Sequence, residues 1–309
     1  MHVFPTVSDR RPVGAVVRHR PRFPLSFACI AALPVLIALI SARPGRAALP
    51  AGWAPNLTTT ATWNDNVTNA DRSSDKISGL ELRASVEVTH RLGFARNDAL
   101  LFGGGVAAEA WPRFDGLATL ALGPRVGWQH KFGLGALAPT FNAEFAGTAV
   151  VAHESDRSGL TGGVTLAWRK RLDPSTRVAV TQEWTRHDAR APVFARTGAE
   201  TALELARDLG ESWQLSFAAR WRTGDVLSYA TPPRTDLVSL ARVRVPNATF
   251  GRPFVAYSLD ARTLTGALAL SRALGDASSF TLGFEYRDTT RQPLRYVNHL
   301  VSATLARQF

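Results

Sequence analysis

The chain has 309 residues, and its 36 Lys and Arg outnumber its 25 Asp and Glu to give a formal net charge of +11. The only cysteine is Cys29, which excludes an internal disulfide or a cysteine-built metal site. No nucleic-acid-binding motif accompanies the positive charge.

Much of that charge sits at the front of the chain. Residues 10–22 hold Arg10, Arg11, Arg18, Arg20 and Arg22 with no acid. An apolar stretch follows from Phe23 to Ile40, interrupted by Pro24 and Pro34. Its longest apolar run, Phe27 to Ile40, falls short of the roughly 20 residues of a helical membrane span and suits the apolar region of a secretory signal. Gly45-Arg46-Ala47 supplies small residues at cleavage-site spacing, so residues 1–47 are expected to be a signal peptide removed before Ala48. A retained N-terminal anchor helix is the alternative. The residues before Cys29, Ser26-Phe27-Ala28, make a poor lipoprotein signal. Removing residues 1–47 takes away seven arginines and one aspartate, leaving 29 basic and 24 acidic residues, a net of +5.

After a short segment, 48–56, one unit repeats twelve times: a stretch of alternating polarity, then a connection. In the first, Leu57, Thr59, Ala61 and Trp63 oppose Thr58, Thr60, Thr62 and Asn64. In the second, Leu80, Leu82, Ala84, Val86 and Val88 oppose Glu81, Arg83, Ser85, Glu87 and Thr89. The third runs from Leu100 to Glu109, the fourth from Thr119 to Gln129, the fifth from Phe141 to Ala149 and the sixth from Leu160 to Arg169. The seventh sets Val178, Val180 and Trp184 against Thr181, Glu183 and Thr185, and the eighth sets Leu203 and Leu205 against Glu200 and Glu204. The ninth is the most regular, with Trp213, Leu215, Phe217, Ala219 and Trp221 against Gln214, Ser216, Arg220 and Arg222. The tenth centres on Leu264, Leu268 and Leu270, the eleventh on Phe280, Leu282, Phe284 and Tyr286, and the twelfth closes the chain. Parity slips at Asp260 to Thr263, where a β-bulge is expected.

Period two puts the two sets of each stretch on opposite faces of a sheet. Stretches of about ten residues have the length of tilted membrane strands. Their aromatic residues gather at the ends. Trp63, Trp184, Trp221 and Tyr286 lie at one end, and Trp128, Trp168, Trp213 and Phe280 at the other. Two such belts suit two membrane interfaces. The connections alternate between short ones rich in Gly, Asp and Pro and longer polar ones, the longest being Gly224 to Ala256. Within it, Leu237 to Val245 reads either as a strand extension above the membrane or as an inward constriction carrying Arg242 and Arg244.

The last nine residues, Val301-Ser302-Ala303-Thr304-Leu305-Ala306-Arg307-Gln308-Phe309, alternate and finish on an aromatic. Together with the repeat, this ending resembles that of bacterial outer-membrane β-barrel proteins, over roughly residues 52 to 309, with no single characterised family matched. Arg307 stands where that pattern has an apolar residue. The resemblance implies a transmembrane antiparallel up-and-down β-barrel over 57–309, with twelve strands and ten or fourteen as alternatives. It also implies residence in the bacterial cell outer membrane, with outer-membrane lipid and lipopolysaccharide as surroundings. Phe309 would be the signal read by the barrel-assembly machinery, short turns would be periplasmic and long loops extracellular.

In a barrel the polar face lines the lumen. Its acids include Glu81, Glu87, Glu144, Glu183, Glu200, Glu204 and Glu285. Its bases include Arg83, Arg125, Arg169, Arg220, Arg222 and Arg287. Two readings stand side by side: a water-filled pore that passes small polar or charged solutes, or an interlocked ion-pair network filling a closed barrel with a structural or partner-binding role. A third, a lipid-modifying surface enzyme, rests on His153-Glu154-Ser155 at a loop rim. His90, His130, His187 and His299 share no metal-ligand spacing. No cofactor motif is present.

Overall fold

A computed structural model describes residues 52–309. The expected signal peptide lies outside the described residues. Thirteen strands and one short helix follow in chain order. They are β1 (Trp53–Asn64), β2 (Gly79–Gly93), β3 (Asp98–Ala110), β4 (Thr119–Lys131), β5 (Thr140–Ala152), β6 (Gly159–Arg171), β7 (Thr176–Ala189), β8 (Arg196–Asp208), β9 (Trp213–Ala230), α1 (Thr235–Leu240), β10 (Val243–Asn247), β11 (Phe254–Ala273), β12 (Ser278–Arg291) and β13 (Leu294–Gln308). Twelve of the strands form a closed antiparallel ring, β1 to β9 and then β11, β12 and β13. β13 closes it on β1, from Asn56↔Gln308 to Asn64↔Leu300. β10 stands outside the ring and pairs only with the upper part of β11.

The ring is inside out relative to a soluble sheet. Its outer face carries the apolar set, and Leu122, Leu160 and Leu264 are each more than 60 % exposed. Closure removes the free sheet edges and pairs the backbone groups they would expose. No helix among the described residues is long and apolar enough to cross a membrane.

One end is built of tight turns. Four of the five connections there have four residues, and in each an apolar N–H bonds back to the following strand, as in Leu209 to Trp213 (2.7 Å) and Leu274 to Ser278 (2.8 Å). In the β6–β7 turn, Asp173 accepts from the backbone of Ser175 and Thr176 and from the Ser175 hydroxyl, each at 2.8 Å. These bonds hold its carboxyl down to about 2.

The strands depart from expectation in three places. β1 begins at Trp53, four residues before Leu57, so a tryptophan outside the expected strands joins the outer face at the turn end. β12 and β13 run on to Arg291 and Leu294, so most of the polar stretch Asp288 to Arg295 is strand. The bulge at Asp260 to Thr263 is absent, because β9 and β11 pair in unbroken register from Val255↔Ala230 to Arg272↔Trp213. What changes there is polarity. Below Arg262 the exposed positions of β11 are Leu264, Leu268 and Leu270; above it they are Asp260 and Arg262, while Leu259 and Ala261 are buried. The outward positions change from apolar to polar along the strand, and the pattern inverts without a slip.

Candidate functional site: the lumen and its lid

The lumen face carries ion pairs assembled across strands. Arg125 of β4 reaches Glu87 of β2 at 2.7 Å, over the intervening β3. In register, Glu87 lies beside Gly105 and Arg125 beside Gly103. Both are glycines, so no β3 side chain separates the two charges. On the other wall, Glu285 takes Arg220 at 2.8 Å through one oxygen and Arg287 through the other. Five of the thirteen expected lumen residues therefore meet in two clusters. Glu183 and Glu200 are cross-strand neighbours, and Glu200 also lies beside Arg222. Among the described residues no ion pair joins Glu81, Arg83, Glu144, Arg169, Glu204 or these three to a partner.

These charges are not packed into a solid core. The side chain of Glu87 is 47 % exposed, Arg287 43 % and Arg220 34 %. Charged groups on the concave face of a closed barrel that stay accessible to this degree border water-sized space rather than apolar side chains.

The loop end is covered. β9 and β11 extend past the ring as a hairpin, joined by α1 and β10, and this insertion meets loops from the far wall. Phe114, in the β3–β4 loop, packs edge-on against Phe250 at 5.0 Å. β3 and β9 are six places apart in a ring of twelve, so this contact spans the mouth. Tyr229 at the end of β9 also meets Phe250 edge-on, at 4.9 Å, and Trp111, Val193, Phe194 and Phe254 join the same buried cluster. Arg157 lies over the Phe194 ring at 4.2 Å and donates to the Tyr229 hydroxyl. A second cluster joins Leu237 of α1 to Tyr257, Leu259, Leu294 and Tyr296. Each large apolar side chain buried this way contributes roughly 2 kcal/mol.

Polar contacts tie the lid to its rim. Glu154 accepts from Asn247 at 2.6 Å, Thr249 at 2.8 Å and Arg157 at 2.7 Å. Thr231 donates to Asp75, and the Tyr229 N–H to the Thr68 carbonyl. Arg234 is fully buried and donates to Asp71 and Asp236. Its hydrogen bonds hold Asp236 down to about 2, and the two carboxylates push the guanidinium above its ordinary value.

Of the two sequence readings of Leu237 to Val245, the strand extension is met in part. The run divides into α1 and β10, β10 does extend the sheet, and the unit lies over the mouth. Arg242 is occupied by Asp225 at 2.6 Å. In His153-Glu154-Ser155 the acid serves the lid, and no hydrogen bond joins His153 to Ser155 among the described residues. No group of His, Asp or Glu there is placed to hold a metal. On the outer face Trp63, Trp128, Trp184, Trp213, Trp221 and Tyr286 are all exposed, while Trp168 is half-buried. The lid residues were missed because each loop's apolar residues are few and gain partners only from other loops. The aromatics Phe250 and Phe254 inside the longest connection were the available signal.

The chain matches no protein-family model and no curated protein. Solved structures do resemble it. An outer-membrane channel from Pseudomonas putida F1 aligns with a TM-score of 0.56 at 11 % identity, over 87 % of this chain and all of that one. The NanC porin aligns at 0.45 and 6 % identity, over 81 % of this chain and 98 % of its own. The KdgM porin, solved with oligogalacturonate, aligns at 0.44 and 11 %, over 82 % and 99 %. The likeness to the Pseudomonas channel is one of fold: this chain forms a closed antiparallel barrel of the same kind.

Proposed function

We propose that the protein is a bacterial outer-membrane channel passing small polar or charged solutes, with a loop-built lid controlling access from outside. One observation carries this reading: lumen charges such as Glu87 and Arg287 remain 47 % and 43 % exposed within a closed ring. Both belong to ion pairs, with Arg125 and Glu285, and a barrel serving only as scaffold would pack such pairs away from water rather than leave them accessible inside the ring. Near-balanced charge suits weak selectivity rather than a strong filter. In this reading the apolar outer face meets lipid, the turn end is periplasmic, the loop end faces lipopolysaccharide, and Phe309 is read during assembly.

The second reading, a closed barrel acting through its loops, draws on the lid. The Trp111–Phe250 cluster seals the mouth as packed side chains seal a domain core. Conductance separates the two. Reconstituted protein is expected to give single-channel steps in planar bilayers and solute uptake into liposomes, more often in an Arg234→Ala variant. Silence from both proteins in both assays would overturn the channel and leave the closed barrel.

A further inference from the structure

The turn end carries a repeat that neither lumen nor lid uses. Five of the six strands arriving there finish alike, with an outward basic residue or histidine, one lumen-facing residue and an exposed apolar residue. The first set is His130, Lys170, Arg207, Arg272 and Arg307, and the second is Phe132, Leu172, Leu209, Leu274 and Phe309. Each apolar residue donates its N–H to a carbonyl of the adjoining segment, at Pro139, Thr176, Trp213, Ser278 and Pro55 respectively. The shared bond puts the five charged or histidine positions at one level of the wall. On β2 the equivalent position is Leu92.

At the loop end, two outward arginines carry their own acids, Arg186 with Asp188 at 2.9 Å and Arg295 with Asp288 at 2.6 Å, while Arg262 makes no ion pair among the described residues. At the turn end His130 has Asp98 at 2.9 Å, but Lys170, Arg207 and Arg272 make no ion pair among the described residues. Arg272 instead lies over the Trp213 ring at 5.3 Å. Each of the three sits between an apolar residue above (Trp168, Leu205, Leu270) and an apolar residue below. A cation bordering hydrocarbon with no protein anion needs a partner from its surroundings, and its long stem can carry the charge to headgroup level. Phosphate is the anion found there, and a guanidinium meets it through two parallel hydrogen bonds.

We infer that Lys170, Arg207 and Arg272 form a belt of binding sites for the phosphate headgroups of anionic glycerophospholipids, those whose phosphate is not neutralised by a headgroup cation, in the periplasmic leaflet. This rests on the membrane-channel reading above. The three cations stand at one level of the wall, each flanked by apolar residues on its own strand, and this repeated setting is what marks the belt.

The test uses the whole barrel, wild type and K170Q/R207Q/R272Q, reconstituted in phosphatidylcholine vesicles containing phosphatidylglycerol. After transfer to detergent, co-purified lipid is quantified by mass spectrometry. Wild type is expected to retain phosphatidylglycerol in preference to phosphatidylcholine, and the triple variant to lose at least about tenfold of that preference. K170R/R207K/R272K, which keeps the charges, is expected to retain it; loss there as well would assign the effect to altered structure and overturn the sites. Equal retention by wild type and the triple variant would also overturn them. Quenching of tryptophan fluorescence by brominated phosphatidylcholine is measured in parallel. Quenching without lipid preference rejects the belt alone, whereas no quenching of wild type rejects membrane insertion and the belt with it.

Discussion

Arg234 donates to both carboxylate oxygens of Asp71, at 2.9 and 3.0 Å, across 163 residues of chain. This one fork joins the insertion between β9 and β11 to the β1–β2 loop. Arg234→Ala leaves two carboxylates near each other without their cation. Both are partly exposed, so the expected loss is about 2 kcal/mol rather than the full cost of breaking a buried pair. The loss falls on the lid, not the ring. Limited proteolysis should cut the 231–253 segment faster while the barrel stays resistant.

The same latch has a pH dependence. Arg234 holds Asp236 down to about 2, below the ordinary carboxylate value. A lowered folded value means the stabilisation is complete above the ordinary value and is lost as pH falls toward about 2. Conductance should be flat from neutral pH down to about 4 and rise below that. Asp236→Asn should remove this rise; a rise of the same size in that variant would exclude Asp236 as its source.

Glu285 holds two arginines at once, so Glu285→Gln removes one negative charge and frees two positive ones in the lumen wall. At about 4 Å in water a unit charge is worth about 1 kcal/mol, or about fivefold in local ion concentration. The reversal potential in a potassium chloride gradient should move toward the anion side by an amount of that order. An unchanged potential would remove Glu285 from the permeation path.

Two glycines of the wall should respond oppositely to alanine. A Cβ on Gly123 would lie 1.9 Å from the Gly147 carbonyl oxygen and 2.7 Å from the Thr148 Cα, where only backbone could give way. A Cβ on Gly147 would meet nothing within 4 Å. Overpacking costs about 1 to 3 kcal/mol, so Gly123→Ala should lower the urea midpoint and Gly147→Ala should leave it unchanged.

Phe309 is the last member of the turn-end apolar set, with its N–H bonded to the Pro55 carbonyl at 3.1 Å and its ring under Arg307. If the residue serves assembly, its deletion should reduce the folded fraction in cells far more than the stability of barrel refolded in detergent. Comparing the heat-shifted gel band in the two preparations checks this.

How much was legible follows from the range of each interaction. The alternation of Trp213 to Arg222 is complete within ten residues and names both faces of β9 without any partner. The charges of the lumen were legible as a face, but not as pairs. Arg125 finds Glu87 only because β3 interposes glycines, a fact of three strands in register. The upper part of β11 was misread as a bulge because inverted polarity and slipped register look alike in a single strand.

The amino-acid sequence by itself determined a twelve-stranded alternating chain with an apolar outer face, because period-two patterning and turn chemistry act between residues close along the chain. Only the tertiary structure decided what stands over the mouth. The lid draws Asp71, Phe114, Glu154, Phe194, Tyr229 and Phe250 from five separate segments. No local pattern marks them, because their burial exists only after the ring has closed and brought the loops of opposite walls together.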